Sequence, residues 1–348
     1  MSGLPLGQIL VGDARERLAE LPDASVDCII TSPPYWALRD YGHAEQLGAE
    51  ASVDDWVSAL VELCDQLARV LTPTGSLWLN LGDSFARRAQ DGAPKKSLLL
   101  GPSRVALQLL NRGWLLRNQV IWHKPNAMPS SVSDRLTTTY EVVYFLTRQP
   151  HYFFDLDAIR RPSRSQARPF DRRPASYPPR SAVPSLGRGR APRVNLNRGL
   201  AGMKAAGLSS HPLGKNPGDV WAIGTGRYTG AHFATFPLEL VRRPLLATCP
   251  ELVCANCSRP WTRPTQPAHE RHLPRAPLQA DCRCRALARR GIVLDPFMGA
   301  GTVALAAEQH GRDWLGCELN PVYAELARQR LADWRSTTTP QHQPSVTT

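Results

Sequence analysis

The stretch GIVLDPFMGAGTVALAAEQHG, residues 291–311, limits the fold more than any other part of this chain. A short aliphatic run ends in Asp295, a turn carrying Gly299 and Gly301 follows, and a helix is expected to start near Thr302. An apolar run of that length, closed by a turn and followed by a helical pattern, is a buried strand handing over to a helix, the repeating unit of an α/β sheet. The same alternation recurs along the chain. GQILVGD, VDCIITS and GSLWLNLGD read as strands, and VDDWVSALVELCDQLARVL as an amphipathic helix. GPSRVALQLLNRG is a further helix candidate, WLLRNQVIWHK follows it, and a strand pair is expected around EVVYFLTRQPHYFF. GDVWAI and DWLGCEL read as later strands, and PVYAELARQRLADW as the last helix. The expected fold class is α/β, with a mostly parallel sheet covered on both faces.

Charge divides the chain. The formal excess is +12 over 348 residues, yet residues 161–218 alone hold twelve Lys and Arg against the single acid Asp171. That segment also carries nine prolines and seven glycines, without helical or strand periodicity. It suits either a solvated insert or a basic element that follows a polyanion. The expected organisation is an α/β domain in two halves, residues 1–160 and 219–336, with the basic insert 161–218 between them and a disordered tail at 337–348. No apolar run approaches the roughly 18–20 residues of a membrane-spanning helix. The first residues also lack a basic stretch followed by an apolar core. A cytoplasmic protein with no membrane partner is expected.

Two strand ends carry residues with chemistry. In IITSPPYW, proline cannot donate to a ladder, so the strand must stop near Ser32. The result is a stiff loop at a strand's carboxyl end, where open α/β sheets place their ligands, although an ordinary turn would look the same in isolation. In DPFMGAGT, Gly299 and Gly301 let the backbone come close to a ligand at a helix N-terminus. Neither the full dinucleotide fingerprint nor the Lys-Ser/Thr ending of a phosphate loop is present. Asp295 suits a cationic group, and Glu318 sits at the next strand end, where an acid grips ribose hydroxyls. A ribose, a cationic amino group and no phosphate describe S-adenosylmethionine. Either acid alone also reads as a helix cap.

Taken together, TSPPYW and DPFMGAGT resemble the DNA amino-methyltransferases, which methylate an exocyclic base nitrogen. The SPPY-type motif precedes the cofactor loop, an order similar to the β-class, cytosine-N4-specific type, and the resemblance runs from GDARERL at Asp13 to the helix after Glu318. It implies a Rossmann-like methyltransferase sheet with circularly permuted motif order, S-adenosyl-L-methionine as cofactor, and double-stranded DNA as partner, with 161–218 as target-recognition region. By this likeness Ser32 and the Pro33 carbonyl accept from the target amino group, Pro34 stiffens the loop, and Tyr35 stacks on a flipped base. Cofactor contacts are implied for Asp13, Thr31, Asp295, Phe297, Gly299, Gly301, Thr302, Glu318 and Asn320. HFATFPLEL resembles the motif lining the methionine end, which adds Phe233 and Phe236. DNA contacts are implied for Asp134 and Arg135, and for Arg161, Arg164, Arg168, Arg172, Arg173, Arg188, Arg190 and Arg193 in the basic segment. Ser at the first motif position implies N4-methylcytosine, with N6-methyladenine as the alternative product. A non-catalytic DNA-binding protein on a decayed methyltransferase sheet is the alternative outside the enzymes. A cognate restriction endonuclease is a further implied partner.

Eight cysteines in a cytoplasmic chain argue against a disulfide framework. Cys254-x-x-Cys257 and Cys282-x-Cys284, separated by 24 residues, resemble a small zinc ribbon in an insert at 249–286. A thiolate site holding structural zinc would fold an insert that has almost no core. His269, His272 and Cys249 are further ligand candidates, and free thiols in a solvated loop are the alternative. Cys28, Cys64 and Cys317 read as core residues.

Overall fold

The computed structural model describes residues 3–38, 46–162, 213–225, 236–264 and 275–338. The chain divides into two compact units, one made of 1–158, 218–262 and 278–348, the other of 159–217 and 263–277. The first unit holds one eight-stranded sheet built from β1 (Ile9–Val11), β2 (Val26–Thr31), β3 (Leu71–Leu81), β4 (Leu115–His123), β5 (Tyr140–Thr147), β6 (Val220–Ala222), β9 (Ile292–Asp295) and β10 (Asp313–Glu318). The strands β7 (Leu252–Cys254) and β8 (Ala288–Arg290) pair separately. In space the large sheet runs β1-β10-β9-β2-β3-β5-β4-β6. Every neighbouring pair is parallel except that β5 runs antiparallel to both β3 and β4. The earliest strands therefore lie beside the latest ones.

Strand alternation sorts the core into two layers. Leu77, Leu79 and Leu81 of β3, with Tyr144 and Leu146 of β5, face the helices α1 (Ala14–Ala19), α2 (Val53–Val70) and α3 (Gly101–Asn111). Trp78, Val143 and Phe145 face the other way, toward α4 (Leu238–Thr248), α5 (Thr302–Gln309) and α6 (Pro321–Thr337). Every residue of β2 is buried, as befits a central parallel strand covered on both faces. Helix α2 shows how local sequence sets an element. Ser52 accepts from Asp55 N at 3.2 Å, Asp54 and Asp55 occupy the first turn, Arg69 the last, and Trp56, Leu60, Leu63 and Leu67 form the buried stripe.

Three features differ from the sequence reading. The expected strand pair around 141–154 is the single strand β5. Beyond it, Tyr152 and Phe154 set their rings against Phe145 at 5.5 and 5.8 Å, with Phe154 still exposed, instead of forming a second strand. Strand β3 starts at Leu71, directly where α2 ends. Helix α4 was not anticipated, because Pro237 precedes it and Pro244 lies inside it, residues that ordinarily mark helix ends. No helix among the described residues is long and apolar enough to cross a membrane.

Candidate active site

The topology brings seven polar or charged positions to one edge. Asp13 follows β1, Ser32 follows β2, Asp83 follows β3, Lys124 follows β4, Asp295 closes β9 and Glu318 closes β10, while Glu141 lies at the start of the reversed strand β5. This carboxyl edge is where open parallel sheets bind ligands.

Asp295 is 1 % exposed. Its Oδ1 accepts from Thr31 Oγ1 at 2.7 Å and from Phe297 N at 3.0 Å, whereas Oδ2 is buried without a hydrogen-bond partner among the described residues. Burial, reinforced by repulsion from Glu318, pushes its carboxyl up to about 7 despite those donors. Glu318 accepts from Gly299 N at 2.8 Å and Asn320 N at 2.9 Å, and burial raises its carboxyl as well. The acid thus holds the glycine turn against the end of β10. Gly299 and Gly301 have φ of 50° and 73°, the left-handed region, and a Cβ on Gly301 would come within 3.1 Å of the Ala327 Cβ. Thr302 opens α5, its hydroxyl taken by Arg330 at 3.0 Å, and Asn320 caps α6 by accepting from Val322 N at 2.9 Å.

The second cluster surrounds the SPPY loop. Tyr35 Oη donates to Glu141 Oε2 at 2.8 Å and lies 3.1 Å from Ser32 Oγ. The Asn80 amide nitrogen reaches Tyr35 Oη at 2.7 Å, Glu141 Oε2 at 2.9 Å and Ser32 Oγ at 3.3 Å. Lys124 pairs with the other oxygen of Glu141 and sits 4.4 Å over the Trp122 ring. The loop itself is fixed from behind, since Trp56 Nε1 donates to the Pro34 carbonyl at 3.0 Å. Asn80, Lys124 and Glu141 escaped the sequence reading. An amide inside the apolar run SLWLNLG was the one available signal, since a buried amide needs partners.

Other expected residues stand as follows. Asp13 caps α1, and both of its oxygens are engaged by Arg15, at 2.7 Å from the backbone N and from Nη2, which holds its carboxyl below the usual range. Asp134 pairs with Lys96 at 2.6 Å, and Arg135 stacks 3.6 Å over the Phe85 ring. Arg161 pairs backbone to backbone with Lys215 at 3.0 and 2.8 Å, closing the neck of the basic segment within the second unit. Phe236 is half-buried ahead of α4. Phe233, Arg164, Arg168, Arg172, Arg173, Arg188, Arg190, Arg193, His269 and His272 lie outside the described residues. The sulfurs of Cys254, Cys257, Cys282 and Cys284 converge within 4.8 Å, and backbone N–H groups of Cys257 and Asn256 lower the Cys254 thiol to about 6. Cys28, Cys64, Cys249 and Cys317 are buried apart from that group.

The sequence profile of the DNA methylase family N6_N4_Mtase matches residues 26–329, which takes in both loop clusters. The chain is a DNA methylase of the N6/N4 family. The methylase is 33% identical to the Type II methyltransferase M.Cfr9I of Citrobacter freundii, over 92% of this chain and 86% of that protein. It is 31% identical to the Type II methyltransferase M.SmaI of Serratia marcescens, over 95% of this chain and 92% of that one. Among solved structures, TTHA0409 of Thermus thermophilus, complexed with S-adenosyl-L-methionine, aligns with a TM-score of 0.51 at 24% identity, covering 94% of this chain and 93% of that chain. The PvuII DNA methyltransferase (cytosine-N4-specific) aligns with a TM-score of 0.52 at 18% identity, covering 97% and 92%. These likenesses establish the fold as the α/β methyltransferase sheet.

Proposed function

We propose that the methylase transfers a methyl group from S-adenosyl-L-methionine to the exocyclic N4 of a cytosine turned out of double-stranded DNA. The observation that carries this reading is the hydrogen bond from Thr31 to Asp295, 2.7 Å long, which holds the SPPY loop beside the acidic glycine turn. The Type II character of the M.Cfr9I and M.SmaI relatives supports a site-specific DNA substrate, and with it a paired restriction endonuclease. The Ser at position 32 supports cytosine, as does the likeness to the PvuII enzyme.

The residues fit the cofactor. The orphaned Oδ2 of Asp295 suits an ammonium group, Glu318 retains lone pairs for ribose hydroxyls, and Gly299 and Gly301 leave bare backbone at the start of α5. Phe233, Phe236 and Phe297 would line the apolar parts, and Asp13, Thr302 and Asn320 the rim. When bound, S-adenosyl-L-methionine supplies an electrophilic methyl on a sulfonium sulfur.

The chain's own task is to make an amino nitrogen nucleophilic. Its lone pair is delocalised into the base, and acceptors on its N–H bonds localise it. A carboxylate only accepts, so Tyr35 donates to Glu141. Donation from Ser32 to Tyr35 then leaves Ser32 Oγ as an acceptor, one lone pair facing the Asn80 amide and the other open to the target amino group, with the Pro33 carbonyl as second acceptor. Lys124 pairs with the other oxygen of Glu141, which fixes the carboxyl facing Tyr35 and so keeps the chain of donors pointing one way. Asp134, Arg135 and the arginines from Arg161 to Arg193 are assigned to the DNA. Digestion of methylated DNA to nucleosides and mass spectrometry test the proposal: N4-methylcytosine is expected, and N6-methyladenine would overturn the base assignment.

A further inference from the structure

The four sulfurs of Cys254, Cys257, Cys282 and Cys284 meet within 4.8 Å although the two pairs stand 24 residues apart in sequence. We propose that they bind one zinc ion, and that this structural site fixes Arg289 against Asp27 at the amino edge of the sheet, opposite the active site. A tetrahedral zinc with Zn–S bonds near 2.3 Å requires sulfurs about 3.8 Å apart, so the four need only draw slightly inward. Among the described residues the group holds thiols alone, with no carboxylate or imidazole, and thiols select a soft tetrahedral ion over calcium or magnesium.

The backbone is arranged for this. Each pair is followed directly by a non-glycine residue in the left-handed region, Ser258 at φ 55° and Arg285 at φ 52°. Such conformations are uncommon for residues with a Cβ, and here they recur at matching places, turning both loops toward one point. Around the first loop Ser258 N donates to the Cys254 carbonyl at 3.0 Å, and Cys254 N to the Arg259 carbonyl at 2.9 Å. Pairing of β7 with β8 sets Cys254 opposite Ala288, and Arg259 Nη1 donates to the Asp281 carbonyl at 2.8 Å, tying one loop to the other. Leu287 is 86% exposed, so little apolar core supports the loops. A metal is the natural substitute.

The clamp has a mechanical reach. Arg289 in β8 grips Asp27 with Nη1 at 2.5 Å and Nη2 at 3.1 Å, and Asp27 also accepts from Ile292 N at 2.9 Å. Asp27 is 2 % exposed and lies in β2, which leads to Ser32; Ile292 opens β9, which leads to Asp295. The stem leaves no slack, because a Cβ on Gly291 would fall 2.1 Å from the Pro250 carbonyl oxygen.

The test uses the full chain purified without chelators. Elemental analysis should find one zinc per chain, X-ray absorption four sulfur neighbours, and a mercurial reagent should release the zinc from the unaltered protein as four thiols react. The Cys257→Ser and Cys284→Ser variants should lose the metal. Iron in its place, no metal, or paired disulfides would overturn the site. For the mechanical claim, stripping the zinc should lower Tm by roughly 5 °C or more, and by less than half as much in the Asp27→Asn/Arg289→Met double variant. Equal losses in both proteins would overturn the link to Arg289.

Discussion

Tyr35 and Glu141, 106 positions apart in the chain, share a hydrogen bond of 2.8 Å across the sheet's carboxyl edge. It exists because β5 runs backwards between β3 and β4, bringing its first residues to the edge where its neighbours end. If that bond orients Ser32, then Tyr35→Phe and Glu141→Gln should each lower kcat by roughly ten- to a hundredfold while cofactor affinity stays unchanged. Single-turnover methylation and calorimetry measure the two quantities. Tyr35→Ala should lose most turnover, again with cofactor affinity retained, and equal loss of both would place the residue elsewhere.

Gly82 offers a way to move the Tyr35 ring without altering its chemistry. A Cβ there would stand 2.7 and 2.9 Å from two ring carbons. Gly82→Ala should therefore reproduce the kinetic defect of Tyr35→Phe, and a crystal structure of the variant should show the ring displaced.

Asp295 makes the site pH-sensitive. Its carboxyl is raised from 3.8 to about 7 in the ligand-free protein, so a cationic group arriving beside it must expel a proton below that pH. Cofactor affinity should weaken as pH falls below about 7, by up to about tenfold per unit. Calorimetry in buffers of different ionisation enthalpy should show proton release that Asp295→Asn abolishes. The linkage has a definite sign: the folded pKa lies above the unfolded one. The unfolded chain therefore holds fewer protons between about 4 and 7, and this group's contribution to stability falls as pH rises through that window, then levels off.

The Gly291 stem is a stability probe remote from the site. Gly291→Ala places a methyl against the backbone of Pro250, with the Cys249 sulfur at 3.2 Å on its flank. A loss of about 3 kcal/mol is expected, read by denaturant unfolding.

The basic segment should govern DNA affinity through phosphate contacts. Arg161 and Lys215 are already bridged, so residues 163–210 can be replaced by a short turn without pulling the neck apart. The shortened protein should show a flatter dependence of log affinity on log salt and no sequence preference, with cofactor binding intact. An unchanged slope would make the segment a bystander.

What the sequence disclosed divides by range. Ser32, Asp295 and Glu318 were legible because each sits at the junction of a strand with the loop it feeds, a pattern contained in a dozen residues. The alternation of Leu77, Leu79 and Leu81 with Trp78 likewise declares a strand buried on both faces. Asn80, Lys124 and Glu141 were hidden because their meeting depends on the lateral order of β3, β5 and β4, which no local pattern encodes. Asp13, read from the motif as a cofactor contact, also caps its own helix and pairs with Arg15 two positions away, a local role that the motif does not show. Helix α4 was masked by its own prolines.

The neighbours of β1 and β2 carry a consequence for synthesis. β1 pairs with β10 and β2 with β9, so each early strand waits for a partner made near the end of translation. Thr31 precedes Asp295 by 264 positions, a delay of roughly 10–50 s on a ribosome. During that interval a nascent chain exposes the unpaired side of β2, a surface that chaperones would recognise. It also lacks the acids of the late strands, so the loop that would grip a base is complete well before there is anything to methylate it with. Chains arrested before Ile292 should fail to retain labelled S-adenosyl-L-methionine, and chains released after α6 should hold it.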